Sequence, residues 1–400
     1  MSVQPLELSR KAMVSAGAVE CAQTPIRLLH VVENLDHQAV ENWLFRVFRA
    51  ATQDCPEYHW TFFCVLGRKG RLDEEARRLG AEVIHSRYEL GDKRRFLLSL
   101  REVMKRGRYD ILHCHHDIMS AAYLAASAGL PFRKRIVHLH NTSLGLPTPN
   151  RLKAELAREP MRQVCLRMAD QIVGISKDAL ESLLGSRERD PKRHQIIHYA
   201  VDTARFAEAR PDRVEFRRAL GLDPATKILL FVGRLVEYKN PCFVLEMLEH
   251  LTSAGENVAA VFAGAGDQEE RVRAMAREKS LEDRVRLLGF RDDVPELMRA
   301  ADVLVWPSLE ETKEGLGLGI VEAQSAGLPI VMSRSVPEEA IVVPELVNVL
   351  ALSAGAKAWA NAALDLMNRP RPGFEESRAR VESSSFSMAQ GVANLMALYV

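Results

Sequence analysis

The sequence has few of the features that would direct it to an extracellular or membrane-spanning class. It contains no uninterrupted run of about 18 apolar residues, so no helix is expected to cross a membrane. Its six cysteines form no CxxC pair and no regular spacing, so neither a disulfide framework nor a zinc site is indicated. Residues 1–24 carry only a short, broken apolar stretch and an acid, which makes a poor signal peptide. These absences predict a protein of a reducing cytosol.

Length and composition provide ample material for a buried core. The 400 residues are 47% hydrophobic and 27% charged, which suggests two or three domains. The net charge of +1 conceals an asymmetry, because residues 1–210 hold 33 Lys+Arg against 25 Asp+Glu, whereas residues 211–400 hold 21 against 28. A basic first half suggests an anionic surface or substrate, with chance surface composition as the alternative. It shows no interleaved aromatic surface, so nucleic-acid binding is not expected.

Short apolar runs alternate with helical patterns in both halves. This alternation implies right-handed crossovers and a parallel sheet in each half, and so two Rossmann-like α/β domains facing across a cleft. Strands are predicted at 26–32, 59–66, 82–85, 110–113, 135–139 and 171–175, and then at 227–232, 257–263, 284–288, 303–306, 328–333 and 347–350. The predicted divisions are a variable segment (1–24), a first domain (25–205), a second domain (206–375) and a C-terminal helix that crosses back to the first domain (376–400).

The stretch 306–331 has the pattern of an anion-binding loop. A buried strand leads through Glu314 and three alternate glycines into a helix carrying Glu322. Glycines at a helix entrance leave backbone N–H groups bare, and the helix dipole adds partial positive charge there. Beside a bound phosphate, the two carboxylates would accept hydrogen bonds from hydroxyl groups, as a sugar nucleotide offers. A solvated loop residue and a first-turn helix residue are the alternative interpretation.

Two cations follow the strand at 227–232. Arg234 comes directly after Gly233 at the strand's end, and Lys239 stands five residues further on. The carboxyl edge of a parallel sheet is where such folds bind ligands. A guanidinium fork and a mobile ammonium suit a diphosphate, and ordinary surface charge is the alternative.

The ordered set of motifs in the second half resembles one known family. The set comprises Gly233-Arg234 with Lys239, Gly264-x-Gly266-Asp267, Leu288-Gly289-Phe290, Pro307-Ser308, Glu314-Gly315-x-Gly317, Glu322-Ala323 and Gly327-x-Pro329. In order and spacing it resembles the retaining GT-B glycosyltransferases of glycosyltransferase family 4. The run 322–329 and the later segments Glu338-Glu339 and Val347-Asn348 particularly resemble the bacterial branch that builds exopolysaccharides.

This resemblance implies roles for individual residues. Arg234 and Lys239 would bind the diphosphate, Glu322 the ribose and Glu314 the transferred sugar. The segment Val137 to Asn141 resembles the one that carries the family's active-site histidine, so that role passes to His140. A core or capping histidine is the alternative, and His138 and the histidines at 113, 115 and 116 are other candidates. The resemblance thus implies His140 and Glu314 as catalytic residues. Further donor-binding residues are expected at Gly264, Gly289, Phe290, Arg291, Gly315, Leu316 and Gly317.

The chain also departs from the family pattern. The loop after the first strand reads Asp36-His37-Gln38-Ala39-Val40-Glu41 where the family usually has paired glycines before a Glu, and Tyr199-Ala200 replaces an Asn-Gly turn. Residues 310–313 resemble a small insertion. The histidines at 113, 115 and 116 could suggest a metal, but they have no carboxylate-rich partner and the resemblance implies none is needed. We therefore expect no metal and no cofactor besides the donor substrate.

These observations predict a cytoplasmic enzyme that transfers a hexose from a nucleotide-diphosphate sugar to a glycan acceptor, with retention of configuration. The acceptor is expected to be lipid-linked. The basic helix at 93–106 is compatible with peripheral contact at the anionic inner face of the membrane, although an ordinary sheet-covering helix has the same pattern. The alternatives are a sugar-nucleotide epimerase on a similar fold and a non-catalytic, nucleotide-binding partner of a polysaccharide assembly complex.

Overall fold

The computed structural model describes residues 25–36, 39–143 and 151–400. Its first half forms a parallel sheet whose strand order is β3-β2-β1-β4-β5-β6-β7. The strands are β1 (Ile26–Val32), β2 (Tyr58–Cys64), β3 (Glu82–His85), β4 (Ile111–Cys114), β5 (Lys134–Leu139), β6 (Gln171–Gly174) and β7 (His194–Ile196). The first six are confirmed, with ends shifted by one or two residues. The prediction missed β7, because three residues after a charged segment form no apolar run.

The second half repeats this design with the order β10-β9-β8-β11-β12-β13, again parallel throughout. Its strands are β8 (Lys227–Val232), β9 (Val258–Ala263), β10 (Val285–Leu287), β11 (Val303–Trp306), β12 (Ile330–Met332) and β13 (Val347–Val349). All six were predicted. The order turns back beside the first strand of each sheet, which is the crevice where open α/β sheets bind ligands.

Helices cover both sheets. Those of the first half are α1 (Ala39–Asp54), α2 (Asp73–Arg78), α3 (Lys93–Gly107), α4 (Ser120–Ala126), α5 (Arg151–Met168) and α6 (Lys177–Leu184). The rest are α7 (Thr203–Glu208), α8 (Arg213–Ala219), α9 (Cys242–Ser253), α10 (Glu269–Glu278), α11 (Val294–Ala300), α12 (Leu318–Ser325), α13 (Gly355–Asn368), α14 (Phe374–Glu382) and α15 (Met388–Ala397). Within the described parts of the chain, none is sufficiently long and apolar to cross a membrane.

Helix α3 shows how the amphipathic patterns become packing. Phe96, Leu100 and Met104 are buried against the sheet, and the Asp92 carboxylate caps the helix by accepting from the Arg95 amide. The helix ends at Gly107, and the capping residue that follows is Arg108, whose φ of 47° is left-handed. Because only glycine adopts this conformation without cost, the closing residue is an unusual choice.

The last helix returns to the first domain, as predicted. Gly391 of α15 packs so closely on Ala200 that a Cβ atom at position 391 would lie 2.6 Å from the Ala200 Cβ. The Lys134 ammonium donates to the carbonyl oxygens of Leu398 and Val400, at 2.9 and 2.7 Å. The last residues are therefore tied to β5 of the first domain.

Candidate active site

The loop between β11 and α12 places Glu314 in a buried polar cluster. Its Oε1 accepts from the Lys239 ammonium at 2.5 Å and from the Ser308 hydroxyl at 2.6 Å, and the Trp306 indole N–H lies 3.3 Å away. The Lys239 ammonium also lies 4.3 Å from the centre of a Trp306 ring. The structure thus joins two predicted site residues in a single ion pair.

Burial determines the electrostatics of this pair. The Lys239 and Glu314 side chains are only 12% and 9% exposed. Loss of hydration lowers the pKa of Lys239, and the nearby Glu314 carboxylate opposes this by favouring the charged ammonium. Removing either partner of such a pair would leave the other charge buried and unpaired, which is strongly destabilising. Arg234 differs, because its guanidinium is exposed and donates to the Tyr238 hydroxyl at 2.9 Å.

The glycine loop that follows Glu314 touches the first domain. The Gly315 carbonyl oxygen accepts from the Ser176 hydroxyl at 2.6 Å, and a Cβ atom at position 315 would lie 2.3 Å from the His140 carbonyl oxygen. Only glycine fits this approach. Leu316 is buried, and Gly317 precedes α12 with a left-handed φ of 74°. Helix α12 thus begins at Leu318, and the predicted helix carrying Glu322 is present.

Glu322 lies in the second turn of α12 and faces the other domain. Its carboxylate oxygen is 3.3 Å from the Arg46 guanidinium of α1, and both side chains are about one-fifth exposed or less. A second contact joins the Thr142 hydroxyl to the Lys313 carbonyl oxygen at 2.7 Å. The two domains are therefore in direct contact along the edge that carries Glu314 and Glu322.

A second set of predicted donor-binding residues lies at the ends of β9 and β10. The Gly264 amide donates to the Gly289 carbonyl oxygen at 2.7 Å, and a Cβ atom at position 264 would lie 1.9 Å from the Gly233 carbonyl oxygen. Glycine at 264 is thus required by close backbone packing. The Phe290 ring is 52% exposed and lies beneath the Arg71 guanidinium of the first domain, at 5.6 Å. Arg291 makes a two-pronged ion pair with Asp293.

His140 stands at the end of β5, but its ring does not open into the cleft. Its Nδ1 lies 2.6 Å from the Tyr199 hydroxyl, its Nε2 lies 3.2 Å from His115 Nδ1, and the residue is 5% exposed. In this conformation the surrounding core residues engage both ring nitrogens. The His140 carbonyl oxygen is the part that faces the glycine loop.

This ring belongs to a continuous chain of buried hydrogen bonds. The successive pairs are Tyr199 Oη–His140 Nδ1 (2.6 Å), His140 Nε2–His115 Nδ1 (3.2 Å), His115 Nε2–His30 Nδ1 (3.1 Å), His30 Nε2–Tyr399 Oη (3.3 Å), Tyr399 Oη–His113 Nδ1 (2.9 Å) and His113 Nε2–His138 Nδ1 (3.2 Å). A neutral imidazole has one N–H and one lone pair, so each ring can donate to one neighbour and accept from the next. We call these seven residues the histidine relay.

The relay is consistent with neutral rings. Burial lowers the pKa of both His30 and His138 to about 3, and the pKa values of His113, His115 and His140 fall well below the ordinary value for the same reason. Sequence reasoning singled out several of these histidines, but it missed Tyr199 and Tyr399 as their partners. Nothing in the spacing links residues so far apart along the chain.

Asp117 and Ser176 were also missed. The Asp117 carboxylate accepts from the His140 amide at 2.6 Å and from the Asn141 side-chain amide at 2.7 Å, and its own φ of 43° is left-handed. Such strain in a non-glycine residue is typical of functional sites. The altered loop at Asp36-His37 falls partly outside the described residues, because His37 is not among them. Asp36 lies 3.9 Å from the Arg71 guanidinium.

Two parallel-sheet domains, joined at the edge that carries a glycine loop and a buried Lys–Glu pair, define a protein of the GT-B glycosyltransferase class. The chain belongs to glycosyltransferase family 4. Residues 32–205 match the family model described as Glycosyltransferase Family 4, and residues 212–386 match that described as Glycosyl transferases group 1. This confirms the resemblance drawn from the sequence.

The alignments with similar proteins span most of this chain. EpsF of Bacillus subtilis, named as a glycosyltransferase, is 28% identical over 378 residues, which are 93% of this chain and 96% of EpsF. An Escherichia coli enzyme named UDP-Gal:alpha-D-GlcNAc-diphosphoundecaprenol alpha-1,3-galactosyltransferase is 27% identical over 268 residues, which are 66% of this chain and 67% of the E. coli enzyme. The structure of Anabaena HepE with UDP and glucose superposes with a TM-score of 0.73 at 16% identity, covering 93% and 98% of the two chains.

Proposed function

We propose that this enzyme transfers a hexose from a nucleotide-diphosphate sugar to a lipid-linked glycan, with retention of configuration and without a metal. The observation that carries the proposal is the buried pair of Lys239 and Glu314 beside the glycine loop, at the meeting point of the two domains. A diphosphate that binds there would draw the ammonium away from the carboxylate and free Glu314 to accept from sugar hydroxyls. The named acceptor of the E. coli relative, a diphosphoundecaprenol, supports the lipid-linked class.

The proposed donor site combines both sets of predicted residues. Arg234 and Lys239 bind the diphosphate, and the amides from Gly315 to Gly317 add donors at the start of α12. Glu322 binds the ribose, for which it would exchange its contact with Arg46. The base lies by the turn formed by Gly289, Phe290 and Arg291, which packs against Gly264.

The proposed chemistry is charge stabilisation. Breaking the bond between the anomeric carbon and the diphosphate leaves negative charge on the leaving group, and fixed donors aimed at that charge supply the largest part of the rate. In front-face attack the acceptor hydroxyl enters on the side from which the diphosphate leaves, so no protein nucleophile is required. The three hydrogen-bond contacts that already engage Glu314 Oε1 fit a binding role better than a nucleophilic one.

Peripheral contact with an anionic membrane is proposed for the first domain, on the side of α3. Leu98 of this helix is 60% exposed, and Tyr88 and Leu90 before the helix are also exposed, while the exposed Arg94 and Lys105 supply positive charge. The Arg101 guanidinium is used internally, where it donates to the carbonyl oxygens of α4 and the following turn. The cationic face is thus narrower than the helical pattern suggested.

Turnover of matched variants with a membrane-extract acceptor tests this proposal. Glu314→Gln should lower kcat about 10²–10³-fold, whereas Glu311→Gln, an exposed glutamate of the same loop, should leave it unchanged. Nuclear magnetic resonance of the product then reads the anomeric configuration. Equal turnover by both variants would remove Glu314 from the site, and an inverted anomer would refute retention.

A further inference from the structure

Three clusters of buried or half-buried histidine, cysteine and aspartate bring their donor atoms within 4.8 Å of one another in the described part of the chain. Two are made of relay histidines, whose ring nitrogens are already engaged by their neighbours with the exception of His138 Nε2. The third consists of Cys64, Asp73 and His85, which lie on the opposite flank of the first sheet. The proposed transfer reaction does not use these three residues.

The third cluster leaves charged and polar atoms without hydrogen bonds. Asp73 is fully buried, yet neither of its carboxylate oxygens has a hydrogen-bond partner among the described residues, and the same holds for His85 Nε2. His85 Nε2 lies only 2.8 Å from Asp73 Oδ2, but outside the geometry of a hydrogen bond, and the Arg77 guanidinium is 3.8 Å away. A carboxylate that loses its hydration on burial and gains no hydrogen bond destabilises the folded state. Buried carboxylates therefore normally have a hydrogen-bonded partner or a metal ion.

The backbone holds the three side chains in this position. Cys64 and His85 are the last residues of β2 and β3 and stand opposite each other in the sheet register, and Asp73 opens α2. The loop between Cys64 and Asp73 packs closely against neighbouring backbone at two points. A Cβ atom at Gly67 would lie 2.5 Å from the Ser86 carbonyl oxygen, and one at Gly70 would lie 2.1 Å from that of Leu35.

We propose that Cys64, Asp73 and His85 bind a divalent transition-metal ion of the zinc type. A thiolate, a carboxylate and an imidazole are the donors that zinc prefers, and together they would neutralise a 2+ ion. An ion at this point would satisfy the Asp73 carboxylate and would move His85 Nε2 and Asp73 Oδ2 apart to about 3.3 Å, the spacing of two ligands on one tetrahedral centre. The His85 side chain is 24% exposed, which gives the ion and a fourth ligand, water, a route from solvent.

Such an ion would be structural for the donor cleft. It would fasten β2, β3 and α2 around the loop that carries Arg71, whose guanidinium lies over Phe290 of the second domain. This inference does not depend on the proposed transfer reaction. It replaces, at these three residues, the expectation from cysteine spacing that no zinc site is present.

Titration of the full-length, chelator-treated protein with Co²⁺ tests the site. Thiolate-to-cobalt charge-transfer absorption should rise to saturation at one ion per chain, and Zn²⁺ should abolish it. Cys64→Ala should lose this absorption, whereas Cys114→Ala should keep it, since Cys114 is the buried last residue of β4, which β1 separates from β2 in the sheet. His85→Ala should weaken cobalt binding at least tenfold.

The titration of the wild type alone already tests the proposed metal site. Saturating Co²⁺ without thiolate absorption would overturn the proposal, and so would absorption that survives in Cys64→Ala. Circular dichroism of each variant separates loss of a ligand from loss of folding. Zn²⁺ should also raise the Tm of the wild type and of Cys114→Ala but not that of Cys64→Ala, and an unchanged wild-type Tm would contradict a structural ion.

Discussion

The two domains share one architecture but fill the carboxyl edges of their sheets differently. Of the 12 histidines, 11 precede residue 200 and only His250 follows it. Five of them form a buried hydrogen-bonded chain in the first sheet, while the second sheet packs around side chains such as Phe231, Val261 and Phe262. The comparison teaches that one fold can hold a chain of buried histidines in one sheet and a largely apolar sheet with a buried ion pair at its edge in the other.

The largest expected effect is acid sensitivity confined to the first domain. Burial lowers the pKa of His30 and His138 to about 3, so both stay neutral in the native protein while the unfolded chain takes up protons below about pH 6.5. The contribution of each neutral ring to the unfolding free energy is complete above about pH 6.5 and decreases as the pH falls. At pH 5 the loss is about 2 kcal/mol for each ring.

Hydrogen exchange measured by mass spectrometry at pH 7 and pH 5, corrected for intrinsic exchange rates, checks this prediction. Peptides of β1, β4 and β5 should lose protection at pH 5, and those of β8, β9 and β11 serve as the internal control. Equal loss in both sheets, or no loss in the first, would remove the proposed difference between the two domains.

The buried ion pair of the second domain is expected to give the next largest effect. Lys239→Met leaves the Glu314 carboxylate buried beside Ser308 and Trp306 without its cation, which should cost about 3–5 kcal/mol of unfolding free energy. The double variant Lys239→Met/Glu314→Gln removes both charges and should regain most of that loss without regaining activity.

Urea denaturation measures both variants against Arg234→Met, which removes an exposed cation nearby and should change stability by less than about 0.5 kcal/mol. A double variant as unstable as the single one would show that the pair contributes by packing and not by charge.

A smaller effect is expected where the C-terminal residues complete the relay. Tyr399→Phe removes the hydroxyl that lies near both His30 Nε2 and His113 Nδ1 and leaves those nitrogens buried without this partner. The cost should be about 1–3 kcal/mol of unfolding free energy. Tyr88→Phe, in an exposed ring, is the control, and an equal effect of the two substitutions would mean that the hydroxyl at 399 contributes nothing specific.

The smallest effect concerns the contact between the domains. Arg46→Gln breaks the ion pair with Glu322, whose side chain is 17% exposed, and should lower the unfolding free energy by less than about 1 kcal/mol. Urea denaturation of the variant and the wild type measures this cost, and because the pair is partly buried, high salt should remove only part of it. A cost of several kcal/mol would show that this contact holds the two domains together.

The strands and the motif residues could be predicted from the sequence because the patterns that indicate them are local. Apolar runs such as Val303–Trp306 and the glycines around Glu314 can be read within a few residues. The pairing of Lys239 with Glu314 and the inward turn of the His140 ring could not be predicted, since each depends on partners from other elements. The same is true of Asp73 and His85, which only the sheet register brings beside Cys64.

The proposed donor chemistry is tested most directly by nucleotide release. UDP-, GDP- and ADP-sugars are offered to the wild type and to Glu314→Gln without acceptor, and free nucleotide is measured over time. We predict slow release of one nucleotide class by the wild type and release lowered about 10²–10³-fold in the variant. No release of any nucleotide by the wild type, even after membrane extract is added, would contradict sugar transfer at this site.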